Sequence, residues 1–143
     1  MKRWTAVLLC LCLCLLLSAC GGAEVTSETD ASVSQNGEAK AVLTKVLACE
    51  QSFTFTNMYD RVTEETLDQF KFSLPYESLY VFVPSLYAFA DRDTDGVEEL
   101  LIQDARIQCL LTLDYNDGKV TGTINDSYNA QDYQDLTWVK IEP

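Results

Sequence analysis

The segment YAFADRDTDGVEELLI, residues 87–102, indicates most directly how this chain folds. Its first part alternates, with Ala88 and Ala90 on one face of a predicted strand and Tyr87 and Phe89 on the other. Its last part is an apolar run, and an acidic loop lies between the two. The segment therefore predicts two β-strands joined by a loop that is rich in carboxylates.

More strands are predicted on the C-terminal side of this segment. Residues 107–113 alternate as a strand does, and the sequence Asn-Asp-Gly at 116–118 is a strong signal for a β-hairpin turn. Residues 119–123 would be the returning strand, and residues 136–141 would add an edge strand. Together they predict a small, mainly antiparallel β-meander.

The N-terminal side of the domain predicts a helix over residues 38–49. Its apolar stripe is Ala39, Val42, Leu43, Val46, Leu47 and Cys49. Either Asn36 or Ser34 would cap it. Residues 50–55 are predicted to be extended, and residues 63–70 to form a short second helix. The predicted fold class is α+β, with the N-terminal helix packed on the meander.

Composition excludes several functions. The chain has 143 residues, no His and a net charge of −12. Catalysis that needs a histidine is excluded, and so is zinc held by histidine. Nucleic acid is excluded as a partner, because phosphate binding needs clustered Lys and Arg.

The first twenty residues have the pattern of an export signal. Lys2 and Arg3 precede an apolar run over residues 6–17, which is shorter than the roughly 20 residues that span a bilayer. The following Leu-Ser-Ala-Cys-Gly, residues 17–21, resembles a bacterial lipobox. This resemblance implies cleavage after residue 19 and acylation of the Cys20 thiol. The alternatives are an ordinary signal peptide and an uncleaved anchor helix.

The chain is thus predicted to have three parts. Residues 1–19 are the signal peptide, residues 20–36 are the lipidated cysteine with a flexible polar tether, and residues 37–143 are one domain. Loss of residues 1–19 removes two basic residues and no acid, so the charge changes from −12 to −14. Such a domain is repelled by anionic lipid, so we expect Cys20 to make the membrane contact on the extracytoplasmic face.

The acidic loop, residues 91–99, carries the predicted chemistry. Asp91, Asp93 and Asp95 occupy positions 1, 3 and 5, Gly96 permits a sharp turn, and Glu99 is at position 9. Carboxylates this close repel one another, whereas Ca²⁺ accepts about six to eight oxygens. An EF-hand needs a Glu at position 12, where this chain has isoleucine, so the loop is not an EF-hand.

The spacing Asp-x-Asp-x-Asp-Gly-x-x-Glu resembles the calcium loop of FG-GAP and VCBS-type repeats. The resemblance implies a structural Ca²⁺ held by side chains of Asp91, Asp93, Asp95 and Glu99 and by the Val97 carbonyl. Mg²⁺ fits less well, because it keeps an octahedron with several waters. Arg92 departs from the pattern and is expected to lower cation affinity. The alternative is a metal-free turn in which Asp side chains accept backbone N–H groups.

The domain as a whole resembles small secreted lipoproteins of Gram-positive bacteria that pair a helix, one such loop and a Tyr-x-Asp-Gly-Lys-Val hairpin. Residues 115–120, Tyr-Asn-Asp-Gly-Lys-Val, provide that hairpin here. A single loop cannot build a propeller, which needs several blades. No ligand-binding role of propellers is therefore implied.

Other candidate sites have two interpretations each. Cys49 and Cys109 either form a disulfide, as the extracytoplasmic location allows, or remain two buried free thiols. Asp114, Asn116 and Asp117 form either a second metal site or a plain hairpin turn. The aromatic residues between 59 and 82 are either a sugar- or peptide-binding surface or the domain core. They are Tyr59, Phe70, Phe72, Tyr76, Tyr80 and Phe82.

Taken together, the sequence predicts a lipid-anchored extracytoplasmic protein with a Ca²⁺-stabilised, non-enzymatic structural or interaction domain. No catalytic or organic-cofactor residue is predicted, and the protein or glycan partner is unspecified. One alternative is a carboxylate-dependent hydrolase of cell-wall or glycan material, for which two carboxylates in a large cleft would be the sign. Another is a partner or inhibitor of a larger surface complex.

Overall fold

The computed structural model describes residues 28–75 and 77–142, apart from the side chains of residues 28–32, 77 and 78. Residues 31–143 form one compact unit, and residues 1–30 form another, of which only 28–30 are described. The predicted signal peptide and Cys20 lie outside the described residues. Within the described residues, no helix has the length and apolar character needed to cross a membrane.

Helix α1 spans Glu28–Leu47. It begins ten residues before the predicted start, so residues 28–36, which we assigned to the flexible tether, are helical. The apolar stripe could not predict these turns, because their sequence is almost entirely polar and carries no apolar periodicity. Ala39, Leu43 and Val46 are fully buried, as the stripe predicted.

The end of α1 is fixed by a backbone motif rather than by glycine. Cys49 adopts φ 59°, in the left-handed region, just after the last helical turn. The Cys49 N–H donates to the Val46 carbonyl at 2.9 Å, and the Glu50 N–H donates to the Lys45 carbonyl at 2.8 Å. These are the two hydrogen bonds of a Schellman cap. The helix therefore ends at Leu47, two residues before the predicted end.

Among the residues that the structure describes, nine strands follow the helix. They are β1 Phe53–Thr56, β2 Val62–Glu65, β3 Lys71–Leu74, β4 Glu77–Val81, β5 Pro84–Ala90, β6 Glu99–Asp104, β7 Leu110–Asn116, β8 Lys119–Asn125 and β9 Val139–Lys140. Short 3-10 helices lie at Leu67–Gln69 and Ala130–Tyr133. The described chain is mainly β with one α-helix, which is α+β in the broad sense.

Seven of the strands form one sheet in the order β2-β1-β8-β7-β6-β5-β9, and β3 pairs with β4 in a second sheet. Strands β5 to β8 are the predicted antiparallel meander. One pairing differs from a meander, because β1 lies parallel to β8. This pairing joins distant parts of the chain, so local periodicity does not reveal it.

The predicted short helix over residues 63–70 is wrong. Val62–Glu65 is strand β2, which pairs with β1 along its whole length, and only Leu67–Gln69 turns as a 3-10 helix. The pairing gives β2 hydrogen-bond partners on β1, and the β-branched Val62 and Thr63 suit an extended chain. Tertiary pairing here overrides the spacing of Leu67 and Phe70.

The core lies between α1 and one face of the large sheet. Its centre is a group of aromatic rings in which Phe70 is 5.1 Å from Phe53 and 4.9 Å from Phe55, both edge-to-face. Most of the predicted aromatic tract belongs to this core: Phe70, Phe72, Tyr80 and Phe82 are buried. Tyr59 is exposed, and Tyr76 lies outside the described residues.

The predicted hairpin turn joins β7 to β8. Asn116 pairs with Lys119, and the two residues between them, Asp117 and Gly118, have φ of 49° and 79°. Two successive left-handed residues are the signature of the type I′ turn, which suits the twist of a hairpin. The plain-turn interpretation of residues 116 and 117 therefore accounts for their structure.

Candidate metal centre

The acidic loop connects β5 to β6. The two strands pair up to Ala90 and Glu99, so the eight residues between them leave and return at one sheet end. Thr94 and Gly96 have φ of 66° and 90° and curl the loop back on itself. This curl gives the loop a concave side lined by carboxylates.

Four predicted side-chain ligands come together on that side. Asp91, Asp93, Asp95 and Glu99 each offer one carboxylate oxygen, and the four oxygens lie within 4.8 Å of one another. The aspartates are exposed, whereas Glu99 is 5% exposed. Four like charges at this separation repel one another, and a divalent cation among them would reverse the sign of the interaction.

Backbone N–H groups hold the aspartates in place. Asp91 accepts from the Gly96 N–H at 3.0 Å, Asp93 from the Asp95 N–H at 3.1 Å, and Asp95 from the Val97 N–H at 2.7 Å. These bonds are those of the metal-free turn. Each bond involves one oxygen of its carboxylate.

Glu99 distinguishes this loop from an ordinary turn. Its Oε2 accepts from the Arg92 N–H at 2.7 Å, but its Oε1 is buried and has no hydrogen-bond partner among the described residues. Burial raises the pKa of the Glu99 carboxyl, and the nearby charge of Asp93 adds to that rise. An unpartnered buried oxygen costs about 1–3 kcal/mol, and more when it is charged.

The other buried acid, Asp104, shows what a satisfied carboxylate looks like in this fold. Its Oδ1 accepts from the Tyr80 hydroxyl at 2.8 Å and from the N–H groups of Arg106 and Ile107. Its Oδ2 accepts from the Val83 N–H at 2.8 Å. The Asp104 carboxylate is therefore fully hydrogen-bonded within the protein, whereas one oxygen of Glu99 has no partner among the described residues.

Val97 is placed by its side chain. That side chain is 4% exposed and belongs to the core cluster of α1 and the sheet. The loop leg that leads into β6, residues 97–98, is thereby anchored to the core. The role of its carbonyl as a ligand stays a prediction.

Arg92 lies in the loop but is engaged elsewhere. Its guanidinium carbon is 4.8 Å from the centre of the Tyr133 ring. Its Nη1 is 3.5 Å from Asp135, and its Nη2 donates to the Asp132 carbonyl at 3.4 Å. The charge expected to weaken cation binding is thus drawn to the C-terminal segment.

Asp114 is a fifth acid near the loop. From the sequence it was expected to belong to a second metal site or to the hairpin turn. On β7 it follows Leu113, which pairs with Leu100, so it lies beside the start of β6. Burial raises the pKa of Asp114, and the charges of Asp95 and Asp93 raise it further. The pairing of β6 with β7 creates this neighbourhood. Aligning the two predicted antiparallel strands residue by residue could have shown that Asp114 lies near the loop.

The two cysteines are free thiols in the structure. Cys49 is exposed after α1, and Cys109 is buried beside β7. Of the two interpretations left open by the sequence, the structure has the free thiols, with the difference that Cys49 is not buried. Burial raises the pKa of Cys109 to about 12.

A separate cleft lies between the edge of the large sheet and strand β3. Its volume is about 760 Å³, with Phe55 and Phe72 among its apolar walls. Its polar lining includes two carboxylates, Glu65 and Asp68, and two cations, Arg61 and Lys71.

Comparisons with protein-family models, with curated proteins and with solved structures return no match for this chain.

Proposed function

We propose that the chain is a lipid-anchored extracytoplasmic protein whose domain is a non-enzymatic structural or interaction module stabilised by Ca²⁺. The observation that supports the cation site is the Glu99 carboxylate, which clusters with three aspartates and whose Oε1 is buried without a hydrogen-bond partner among the described residues. A bound cation would supply the missing partner and would neutralise the repulsion among the four carboxylates.

Ca²⁺ fits this donor set better than other common cations. All the donors are oxygens, and the loop contains neither of the softer ligands, His and Cys, that transition metals prefer. Ca²⁺ takes about six to eight oxygen ligands. The four carboxylates, the Val97 carbonyl and water molecules would together supply that number. Its spacing resembles FG-GAP and VCBS-type loops, which supports the same choice.

The expected role of the ion is structural. Asp91 follows β5 and Glu99 begins β6, so one ion would join the ends of two neighbouring strands. A ligand that binds only the folded state stabilises it by RT ln(1 + [L]/Kd), about 2.7 kcal/mol when [L] is 100 Kd. The ion would thus hold the loop in one conformation at the exposed end of the sheet.

A thermal melt tests the cation site. We expect about 2 mM CaCl₂ to raise the midpoint by several degrees over EDTA for wild type but not for Asp93→Ala. Equal midpoints with and without Ca²⁺, in wild type as in the variant, would reduce the loop to a turn. MgCl₂ at the same concentration is expected to give a smaller shift.

The anchor rests on the resemblance of residues 17–21 to a lipobox. Several acyl chains hold a protein at the membrane, since each buried CH₂ contributes about 0.8 kcal/mol. Cells fed labelled palmitate should label the wild-type chain but not Cys20→Ala, and the variant should leave the membrane fraction. Labelling of Cys20→Ala, or its retention in the membrane by the uncleaved segment, would contradict the anchor.

The cleft with Glu65 and Asp68 favours the second candidate, a carboxylate-dependent hydrolase. Asp68 is exposed, however, and a general acid needs a buried, low-dielectric position to keep its proton near neutral pH. Release of soluble fragments from purified peptidoglycan, abolished by Glu65→Gln and by Asp68→Asn, would favour hydrolysis. No release by wild type would remove this candidate for that substrate.

A further inference from the structure

Helix α1 makes polar contacts with Glu98 of the acidic loop. The Asn36 side-chain oxygen accepts from the Glu98 N–H at 3.0 Å, and Lys40 Nζ lies 2.8 Å from Glu98 Oε2. Lys40 also lies 4.9 Å from the centre of the Phe89 ring on β5. Asn36 and Ser34 were the two expected caps of the helix, but both lie inside α1, and Asn36 binds the loop.

Glu98 lies between two predicted ligands. Val97, on one side, has its side chain in the core, and Glu99, on the other, holds the buried unpartnered oxygen. The Val97–Glu98 peptide carries both the predicted carbonyl ligand and the N–H that donates a hydrogen bond to Asn36. Fixing this peptide therefore fixes the orientation of the carbonyl and the start of β6.

A second contact ties the same part of α1 to β7. The Tyr115 hydroxyl donates to Glu38 Oε1 at 2.6 Å. The segment 36–40 is thus held against the sheet end that carries the acidic loop. In sequence, this segment also leads back toward Cys20.

We propose that Asn36 and Lys40 are positioning residues of the cation site, and that cation binding is coupled to the docking of α1. They hold the Glu98 backbone so that the Val97 carbonyl and the Glu99 carboxylate face the ion. This inference rests on the proposed function, since it takes the loop to bind a divalent cation. Helix α1, which includes the last part of the predicted tether, thereby responds to the ion.

Charge and position have opposite effects at Lys40. A nearby ammonium repels a divalent cation, so by Coulomb's law alone its removal would tighten binding. If Lys40 acts by holding the loop leg, its removal weakens binding instead. Changes in residues that orient metal ligands typically lower affinity by about 10- to 100-fold. The direction of the change therefore separates the two effects.

Calorimetric titration of the full mature protein with CaCl₂ tests the proposal. We expect Asn36→Ala and Lys40→Met each to weaken Ca²⁺ binding on the order of 10-fold, and Lys40→Arg to restore much of the loss. The matched controls are Gln35→Ala and Lys45→Met, at exposed positions of the same helix, and both should bind like wild type. A thermal melt of each variant in EDTA confirms that it folds.

Amide hydrogen exchange provides the reciprocal measurement, because coupling between two events is equal in both directions. Ca²⁺ should slow exchange in residues 33–42 of wild type and have little effect there in the Asn36→Ala/Lys40→Met variant. Unchanged or tighter Ca²⁺ binding in Asn36→Ala and Lys40→Met would overturn the coupling alone. No Ca²⁺ binding by wild type would overturn the coupling together with the cation site.

Discussion

Two buried acids in this fold have opposite surroundings. Asp104 accepts hydrogen bonds at both oxygens, from a hydroxyl and three backbone N–H groups. Glu99 accepts at one oxygen and leaves the other without a partner among the described residues. Carboxylates of similar burial are therefore fully hydrogen-bonded at one position and only partly hydrogen-bonded at the other.

Glu99→Gln tests this difference. In EDTA we expect the variant to be about 1–2 kcal/mol more stable than wild type, because it removes a buried charge and its amide can donate to a neighbouring carboxylate. CaCl₂ should add little to the stability of the variant, because the substitution removes one ligand of the ion. Urea unfolding in both conditions measures the two effects.

Asp104→Asn is the control for the preceding change. The variant should lose about 1–3 kcal/mol of unfolding free energy in both conditions. The reason is that its amide NH₂ group would face a backbone N–H that donates a hydrogen bond to the wild-type carboxylate. If Glu99→Gln were less stable than wild type in EDTA and were still stabilised by Ca²⁺, the role of Glu99 as a cation ligand would be contradicted.

Cys49 carries the cost of a left-handed backbone at a helix end. With φ 59° and an exposed side chain, it occupies the position that glycine usually takes. Cys49→Gly should stabilise the protein by roughly 1 kcal/mol, the amount by which this conformation disfavours a side chain. Equal or lower stability of the variant in urea unfolding would show that the thiol makes compensating contacts.

At the scale of elements, strand periodicity predicted what is local. Strands β5 to β8 and the Asp117-Gly118 turn follow from alternation and turn residues. Periodicity did not predict β2, whose extended chain depends on β1, or the parallel pairing of β1 with β8. It also missed the polar turns of α1, because they have no apolar stripe.

The site divides in the same way. The four carboxylates lie within nine residues, so their spacing identified them. Asp114, Asn36 and Lys40 come from other elements and reach the loop only through tertiary packing. A single sequence carries no local signal for such neighbours, although the strand register would have indicated Asp114.

Two glycines in different elements give a matched test of packing. A Cβ on Gly122 of β8 would lie 2.9 Å from a Phe53 ring atom and 3.2 Å from Leu113, whereas nothing lies within 4 Å of a Cβ on Gly37 of α1. Gly122→Ala should cost about 1–3 kcal/mol by overpacking. Gly37→Ala should stabilise the helix by roughly 0.5–1 kcal/mol.

Chemical denaturation of both glycine variants measures these changes. The contrast is informative because the chemical change is identical and only the surroundings differ. If Gly122→Ala were as stable as wild type, the close packing of Phe53 on β8 would be contradicted. A destabilised Gly37→Ala would argue against helix at residue 37.

At the scale of the whole molecule, buried thiol and phenol groups make the domain sensitive to alkali. Burial, the main cause, and the charge of Asp104 raise the pKa of Cys109 from 9.0 to about 12. A raised pKa means that the folded state keeps its proton longer than the unfolded chain. The stability from Cys109 is thus fully present below about pH 9 and is lost as pH rises toward 12.

Unfolding free energies at rising pH test this sensitivity. Wild type should lose stability above about pH 9, and Cys109→Ala should lose less over the same range, although the cavity makes it less stable near neutral pH. Tyr80, whose pKa burial also raises, should leave part of the decline in the variant. Parallel curves for both proteins would contradict a buried Cys109 thiol.

We propose that one cation binds at the end of strands β5 and β6. Equilibrium dialysis with labelled Ca²⁺ measures how many ions bind, using wild type, Asp91→Asn in the loop and Asp60→Asn in the exposed β1–β2 turn. Both variants remove one exposed aspartate charge, and asparagine tolerates the left-handed backbone at residue 60. We predict one bound Ca²⁺ per chain for wild type and Asp60→Asn, and much weaker binding for Asp91→Asn. No bound Ca²⁺ in wild type, or equal binding by all three proteins, would contradict the claim.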